Sequence, residues 1–74
     1  SEYYGTLTDL PSESVLMDLS LTISAPIIVH FYRRDFVRCQ RMTEALGMLA
    51  RRWPSVRVVE VEATRAPFLT AKWA

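Results

Sequence analysis

The sequence predicts an α/β fold in which three parallel strands are flanked by helices. Ile27 to Tyr32 is almost continuously apolar, which is typical of a central strand covered on both faces. Val37 to Arg52 has the apolar repeat of a helix, and Arg57 to Glu62 alternates partly, as a strand does. Strand-helix-strand units in succession imply parallel strands joined by right-handed crossovers, with helices on both faces of the sheet.

The N-terminal part predicts one further strand and one further helix. Residues 3–7 are expected to form the first short strand. Pro11 and Ser12 precede a helical pattern over residues 13–20, so Ser12 is the expected N-cap. One face of this helix should carry Val15, Leu16 and Leu19.

The predicted second helix has an apolar stripe and a polar side. The stripe consists of Cys39, Met42, Leu46, Leu49, Ala50 and Trp53. The polar side consists of Gln40, Arg41, Thr43, Glu44, Arg51 and Arg52. Trp53 and Pro54 should end this helix, and Pro67 fits the first turn of a last short helix through Trp73.

Composition limits the class of protein. With 74 residues, 50% of them hydrophobic, and a net charge of +1, the chain is expected to be a single small soluble domain or part of one. No secretory signal or apolar run of membrane length is visible, and the single cysteine favours a reducing compartment. We therefore expect a cytoplasmic protein that binds neither membrane nor nucleic acid, since a nucleic-acid binder should be clearly basic.

Arginine supplies all but one of the nine basic residues, and these arginines are unevenly placed. One group lies at the junction of the second strand and second helix, and consists of Arg33, Arg34, Arg38 and Arg41. Another surrounds the turn at residues 53–55, and consists of Arg51, Arg52 and Arg57. A docking face for carboxylates or phosphates is one interpretation. The other is a solvated surface balanced by Asp35, Glu44, Glu60 and Glu62.

The same junction carries Phe36-Val37-Arg38-Cys39 where a thiol–disulfide enzyme would carry Cys-x-x-Cys. In such an enzyme the first thiolate attacks a disulfide and the second resolves the mixed disulfide. Because Phe36 takes the first place, the chain offers only the second thiol and is not expected to be an enzyme. One histidine and one cysteine do not make a metal site, and no cofactor is expected.

Residues 28–42, together with residues 62–69, resemble the thioredoxin-like domain of the phosducin-like group. The resemblance extends without gaps over residues 4–73, and Ala66-Pro67-Phe68-Leu69 is its more specific block. It implies a truncated thioredoxin-like fold of strand order 1-3-2-4-5, of which residues 1–74 form the N-terminal half. The last two strands, the final helix and the cis-proline loop of thioredoxins have no counterpart in this sequence.

The resemblance also assigns positions at the junction. Phe36 matches the nucleophilic cysteine, Cys39 the resolving cysteine, and His30 a buried acidic residue that assists thiol chemistry in thioredoxins. Cys39 lies near a helix N-terminus beside Arg38, where its pKa could be lowered, or it points inward as a small hydrophobe. His30 is either a strand histidine with a hydrogen-bond partner or a pH switch or ligand. Phe36 either contacts a partner or packs within the fold.

Three functions are compatible with these residues. By resemblance, the first is a non-catalytic co-chaperone of the cytosolic chaperonin, acting on actin, tubulin or related clients. Its possible contact residues are Arg33, Arg34, Asp35, Phe36 and Arg38. The second is a residual redox protein that uses Cys39 alone, and the third is a spliceosomal thioredoxin-like scaffold. Phe36 argues against the second, and the block at residues 66–69 favours the first over the third.

The second strand is expected to have one uncovered edge. It would pair with the third strand on one side only, and such an edge is a site of pairing or aggregation. The edge residues are Ile27, Ile28, Val29, His30, Phe31 and Tyr32. We expect two copies of the chain to pair these strands antiparallel around a twofold axis, with domain exchange or non-specific association as alternatives.

Overall fold

The computed structural model describes residues 4–73, and for Trp73 the backbone only. Its elements, in chain order, are β1 (Thr8–Leu10), α1 (Glu13–Thr22), β2 (Ile27–Tyr32), α2 (Val37–Arg52), β3 (Arg57–Glu62), a 3₁₀ turn (Ala63–Arg65) and α3 (Pro67–Trp73). The predicted alternation of strands and helices is confirmed. The bounds of β2, α2, β3 and α3 are those predicted from the sequence.

The three strands form one parallel sheet in the order β1-β3-β2. β3 is the middle strand and the most covered one, because Val58, Val59 and Val61 are all 0% exposed. β2 pairs with β3 on one side only among the described residues, and Ile28 is 37% exposed. Val29 and Phe31 pack against the buried core and Tyr32 is 9% exposed on the other face, so both faces of β2 are at least partly covered, but β2 is an edge strand of the described sheet and not its central one.

The first strand begins later than the sequence predicted. β1 starts at Thr8, whereas the prediction covered residues 3–7, of which residue 3 lies outside the described residues. Residues 4–6 form a bend in which Gly5 has φ 82°, a backbone conformation that interrupts an extended strand. Leu10, which is 2% exposed, supplies the core side chain of β1.

Helix α1 begins as predicted. The side chain of Ser12 accepts a hydrogen bond from the amide of Val15 at 3.4 Å, which confirms Ser12 as the N-cap. The helix continues to Thr22, two residues beyond the predicted end. Leu16 and Leu19 are buried, so the predicted inward face is correct.

The main core lies between the sheet and the pair α1 and α3. Its buried members are Leu10, Leu16, Leu19, Val59, Val61 and Ala66. Glu13 joins the two helices, because its carboxylate accepts hydrogen bonds from the amides of Phe68 and Leu69 at 3.2 and 3.1 Å. The first turn of α1 thereby caps the N-terminus of α3.

Helix α2 covers the opposite face of the sheet, and its inner side differs from the predicted stripe. Ala50 is 1% exposed, but Met42 and Trp53 are 49% and 52% exposed. Thr43, predicted on the polar side, is half-buried and donates a hydrogen bond to Glu60 of β3 at 2.9 Å. The covered side of α2 is therefore rotated toward Thr43, because β3 presents a carboxylate on this face.

Candidate functional site

The loop between β2 and α2 is closed by local hydrogen bonds. The amide of Phe36 donates to the carbonyl of Arg33 at 3.2 Å, and Phe36 is the N-cap of α2. Since a phenylalanine side chain cannot accept a hydrogen bond, no side chain caps this helix. The side-chain amide of Gln40 donates to the carbonyl of Arg34 at 3.3 Å and ties the loop back to the helix.

Cys39 lies in the first turn of α2 and is half-buried. Its Sγ accepts a hydrogen bond from the amide of Arg33 at 3.4 Å. The thiol lines a cleft of about 490 Å³ whose other walls are Tyr32, Arg33, Arg34, Gln40, Thr43, Glu44 and Glu60. Cys39, which the sequence placed on the apolar stripe of α2, is thus half-buried and borders an open cleft.

Phe36 and Val37 are the apolar residues at the tip of the junction. They are 52% and 58% exposed, so the ring of Phe36 is not part of the core. The Arg33 guanidinium lies 5.6 Å from the centroid of that ring, within the range of a cation–π contact. A second cleft of about 410 Å³ is lined by Asp35, Phe36, Val37 and Arg38. The predicted contact residues Arg33, Arg34, Asp35, Phe36 and Arg38 are all exposed.

A polar network lies beneath α2 on the face of the sheet opposite the main core. Asp9, Glu60 and His30 stand side by side on the three strands, because β3 pairs Glu60 with both of the others. Nδ1 of His30 lies 3.1 Å from Oε2 of Glu60, the same oxygen that accepts from Thr43. Glu60 is 6% exposed and thus links β3 to β2 and to α2.

Tyr32 makes a separate hydrogen bond on the same face of the sheet. Its hydroxyl donates to Oδ2 of Asp9 at 2.9 Å, across the width of the sheet. Burial and the hydrogen bond to Asp9 raise the pKa of Tyr32 above its ordinary value, so the phenol remains a protonated donor at neutral pH. This hydrogen bond therefore ties the outer strands β1 and β2 to each other.

The carboxylate of Glu60 should contribute to stability through both of its partners. Replacing Glu60 with alanine leaves the Thr43 hydroxyl and the His30 Nδ1 without their partner, and each such loss costs about 1–3 kcal/mol when the group stays dry. We expect the urea midpoint of unfolding to fall with an unchanged slope. Glu44→Ala, which removes an exposed carboxylate that lines the same cleft as Glu60, is the control and should change stability by about 0.5 kcal/mol at most. Equal effects of the two variants would contradict the role given to Glu60.

The structure corrects two assignments made from the sequence. Glu60 was included among the solvated carboxylates and Arg57 in the group around the turn, but each is 6% exposed. The Arg57 guanidinium lies 3.5 Å from the ring centroid of Tyr4. Arg51 and Arg52 remain exposed, so the arginines near the turn do not form a single face. Alternation along β3 puts Glu60 and Val59 on different faces of the sheet. No local pattern in the sequence indicates that Thr43 of α2 contacts Glu60.

Parallel strands in the order β1-β3-β2, with helices on both faces, are the arrangement of the first three strands of a thioredoxin-like fold. The chain is similar in sequence to thioredoxin domain-containing protein plp1 of Schizosaccharomyces pombe, with 34% identity over 61 residues. It is 30% identical over 69 residues to phosducin-like protein 3 of Dictyostelium discoideum. With thioredoxin domain-containing protein PLP3A of Arabidopsis thaliana it shares 39% identity over 54 residues. These homologues support the phosducin-like family without selecting one member of it.

The similarity covers most of this chain and a minor part of each relative. The matched segments are 82%, 93% and 73% of this chain, but 22%, 36% and 24% of the respective relatives. No protein-family model matches the chain, and no solved structure matches it significantly.

Residues 4–73 contain neither a membrane-spanning helix nor a cluster of metal ligands. No helix in this range is long and apolar enough to span a membrane. The same residues contain no group of three His, Cys, Asp or Glu side chains that could hold a metal ion.

Proposed function

We propose that residues 1–74 form the N-terminal half of a thioredoxin-like domain and act as a non-catalytic protein-binding module of the phosducin-like kind. The observation that carries the proposal is the junction of β2 and α2. There the exposed ring of Phe36 stands in the place of the first cysteine, and Cys39 remains without a second thiol in the chain. Where a redox enzyme has a dithiol, this junction therefore has an exposed aromatic side chain that a partner protein can contact.

Disulfide reduction requires two thiols in succession. The first forms the mixed disulfide and the second releases the reduced product. Cys39 occupies the second place, and its Sγ already accepts a hydrogen bond from the amide of Arg33. A single thiol held in this way favours a binding function over catalytic disulfide reduction.

By resemblance, the partner is the cytosolic chaperonin or one of its folding clients, and the protein acts in the cytoplasm as a regulator of chaperonin-assisted folding. The chain also resembles the member named thioredoxin domain-containing protein nine, and the block Ala66-Pro67-Phe68-Leu69 is the more specific motif of the resemblance. In the fold this block begins α3: Ala66 is 0% exposed in the core, and Phe68 is 82% exposed. The block thus combines a core contact with a surface aromatic.

The chain should show no disulfide reductase activity. In an insulin-reduction assay with dithiothreitol, its turnover should equal the reagent background, because Phe36 cannot form a mixed disulfide. Cys39→Ser should leave this background unchanged, and Phe36→Cys is the matched variant that restores the spacing of two thiols. Turnover by the unmodified chain above background that Cys39→Ser abolishes would contradict the proposal and favour a redox function.

Binding to the chaperonin is tested separately with purified cytosolic chaperonin. Co-elution of the chain with the chaperonin in size-exclusion chromatography is the expected result, and Phe36→Ser is expected to reduce it. Failure of the unmodified chain to co-elute would contradict the chaperonin as partner.

A further inference from the structure

We infer that the junction face, defined as Arg33, Arg34, Phe36, Val37, Arg38 and Arg41, binds an acidic peptide segment in which carboxylates flank an apolar side chain. This inference rests on the proposed function, since it names the chemistry of the partner for the same face. Two observations carry it: exposed arginines that form no ion pair within 4.0 Å among residues 4–73, and apolar side chains exposed beside them.

The guanidinium groups of the junction face form no ion pair within the described part of the chain. Among residues 4–73, the ion pair formed within 4.0 Å joins His30 and Glu60, and none involves these arginines. Arg33 contacts the ring of Phe36. Beside the hydrogen bonds from Thr64, its charge helps to lower the pKa of Glu62 without forming an ion pair with that carboxylate within 4.0 Å. All of the arginines concerned are exposed, and the carboxylates beside them are Asp35 and Glu44. Although the whole chain carries a net charge of only +1, positive charge is therefore concentrated on this face.

The apolar part of the junction face lies between the arginines. Phe36 and Val37 are more than half exposed, and the cleft that they line has Arg38 on its wall. Arg41 lies one helical turn after Arg38, on the same side of α2. An exposed aromatic bordered by arginines has the composition of the energetically dominant part of protein interfaces. An apolar side chain of the partner fits against Phe36, while neighbouring carboxylates reach the guanidinium groups in bidentate geometry.

The charges of the two clefts favour a peptide over a nucleic acid. Asp35 lines the smaller cleft and Glu44 the larger one. A phosphate backbone carries a charge on every nucleotide, so these carboxylates would repel it, whereas a peptide can place its carboxylates apart from them. Phe36 is also the one aromatic of the junction face, where single-strand binding needs several stacking rings.

The inference is tested by fluorescence anisotropy, with the folded chain titrated into a labelled glutamate-rich peptide that has a central leucine. The double charge reversal Arg34→Glu with Arg38→Glu should weaken binding at least about tenfold, because each arginine then repels the peptide. The matched control is Arg51→Glu with Arg52→Glu, which makes the same change at the far end of α2 and should alter affinity less than about twofold. Affinity should also fall as salt is raised, since exposed charges are screened beyond about 10 Å at 0.1 M ionic strength.

Three further probes complete the test. A peptide with glutamine in place of glutamate and one with serine in place of leucine should both bind more weakly, and a single-stranded oligonucleotide should not compete. Circular dichroism verifies that each variant folds, and Arg34→Gln with Arg38→Gln replaces the charge reversal if that variant does not. The inference would be overturned if both arginine double variants lost the same peptide affinity. It would also be overturned if the glutamine peptide bound as tightly as the glutamate peptide, or if the oligonucleotide bound more tightly than the glutamate peptide. Chaperonin co-elution without peptide binding would overturn this inference alone, and peptide binding without co-elution would overturn the proposed partner alone.

Discussion

Replacing Leu10 with alanine should lower the free energy of unfolding by about 2–5 kcal/mol, a large part of a small domain's stability of about 5–15 kcal/mol. Leu10 is 2% exposed, pairs in register with Val61 and belongs to the core cluster with Leu16 and Leu19. β1 has only three residues, and Leu10 is the one among them whose side chain is buried. Urea unfolding followed by far-ultraviolet circular dichroism measures the change.

Leu21→Ala is the matched control, since it makes the same chemical change at a leucine that is 82% exposed. It should change the free energy of unfolding by about 0.5 kcal/mol at most. If both leucine variants unfold at the same urea concentration, the core assigned to β1 and α1 is wrong.

The second large effect concerns self-association, which we expect to occur through the outer edge of β2. The amide of Arg57 donates to the carbonyl of Pro26 at 2.9 Å, so the backbone groups of Pro26 face β3. Because these groups alternate along a strand, those of Ile27 and Val29 point away from β3, where no strand of the described residues pairs with them. A twofold antiparallel pairing of two β2 strands would satisfy them and form one continuous sheet.

The variant Ile28→Lys should convert the associated form to a monomer. The side chain of Ile28 is 37% exposed, and a lysine on an edge strand opposes strand-to-strand pairing. Ile28→Val, which keeps an apolar β-branched side chain, is the control and should associate as the unmodified chain does. Proline is unsuitable here, because the amide of Ile28 faces β3 and its loss would break the sheet itself.

Sedimentation equilibrium over a range of protein concentrations measures this association. Each backbone group that stays dry and unpaired costs about 1–3 kcal/mol, so pairing should be favourable at micromolar concentration. A well-folded monomer at tens of micromolar would contradict the prediction. So would a dimer that persists in Ile28→Lys, or one in which the amides of Ile27 and Val29 exchange freely with solvent.

Local patterns in the sequence determined most of the elements. The bounds of β2, α2 and β3 follow from hydrophobic periodicity, and the start of α1 follows from Ser12, whose side chain serves as the cap. The order β1-β3-β2 agrees with the arrangement that the family resemblance implied. These features were predictable because a helical repeat, a capping residue or a buried strand is recorded within a few neighbouring residues.

Only the tertiary structure decided the position of β1 and the inner side of α2. β1 has three residues and is defined by its pairing with β3, a contact that leaves no local signal around Thr8. The helical repeat predicted an apolar stripe, but in the fold Thr43 faces Glu60 of β3 and Met42 is exposed. The row of Asp9, Glu60 and His30 across the sheet arises from strand register, which brings together residues far apart in the chain. Such contacts depend on the packing of whole elements against one another, and the sequence within any one element does not specify them.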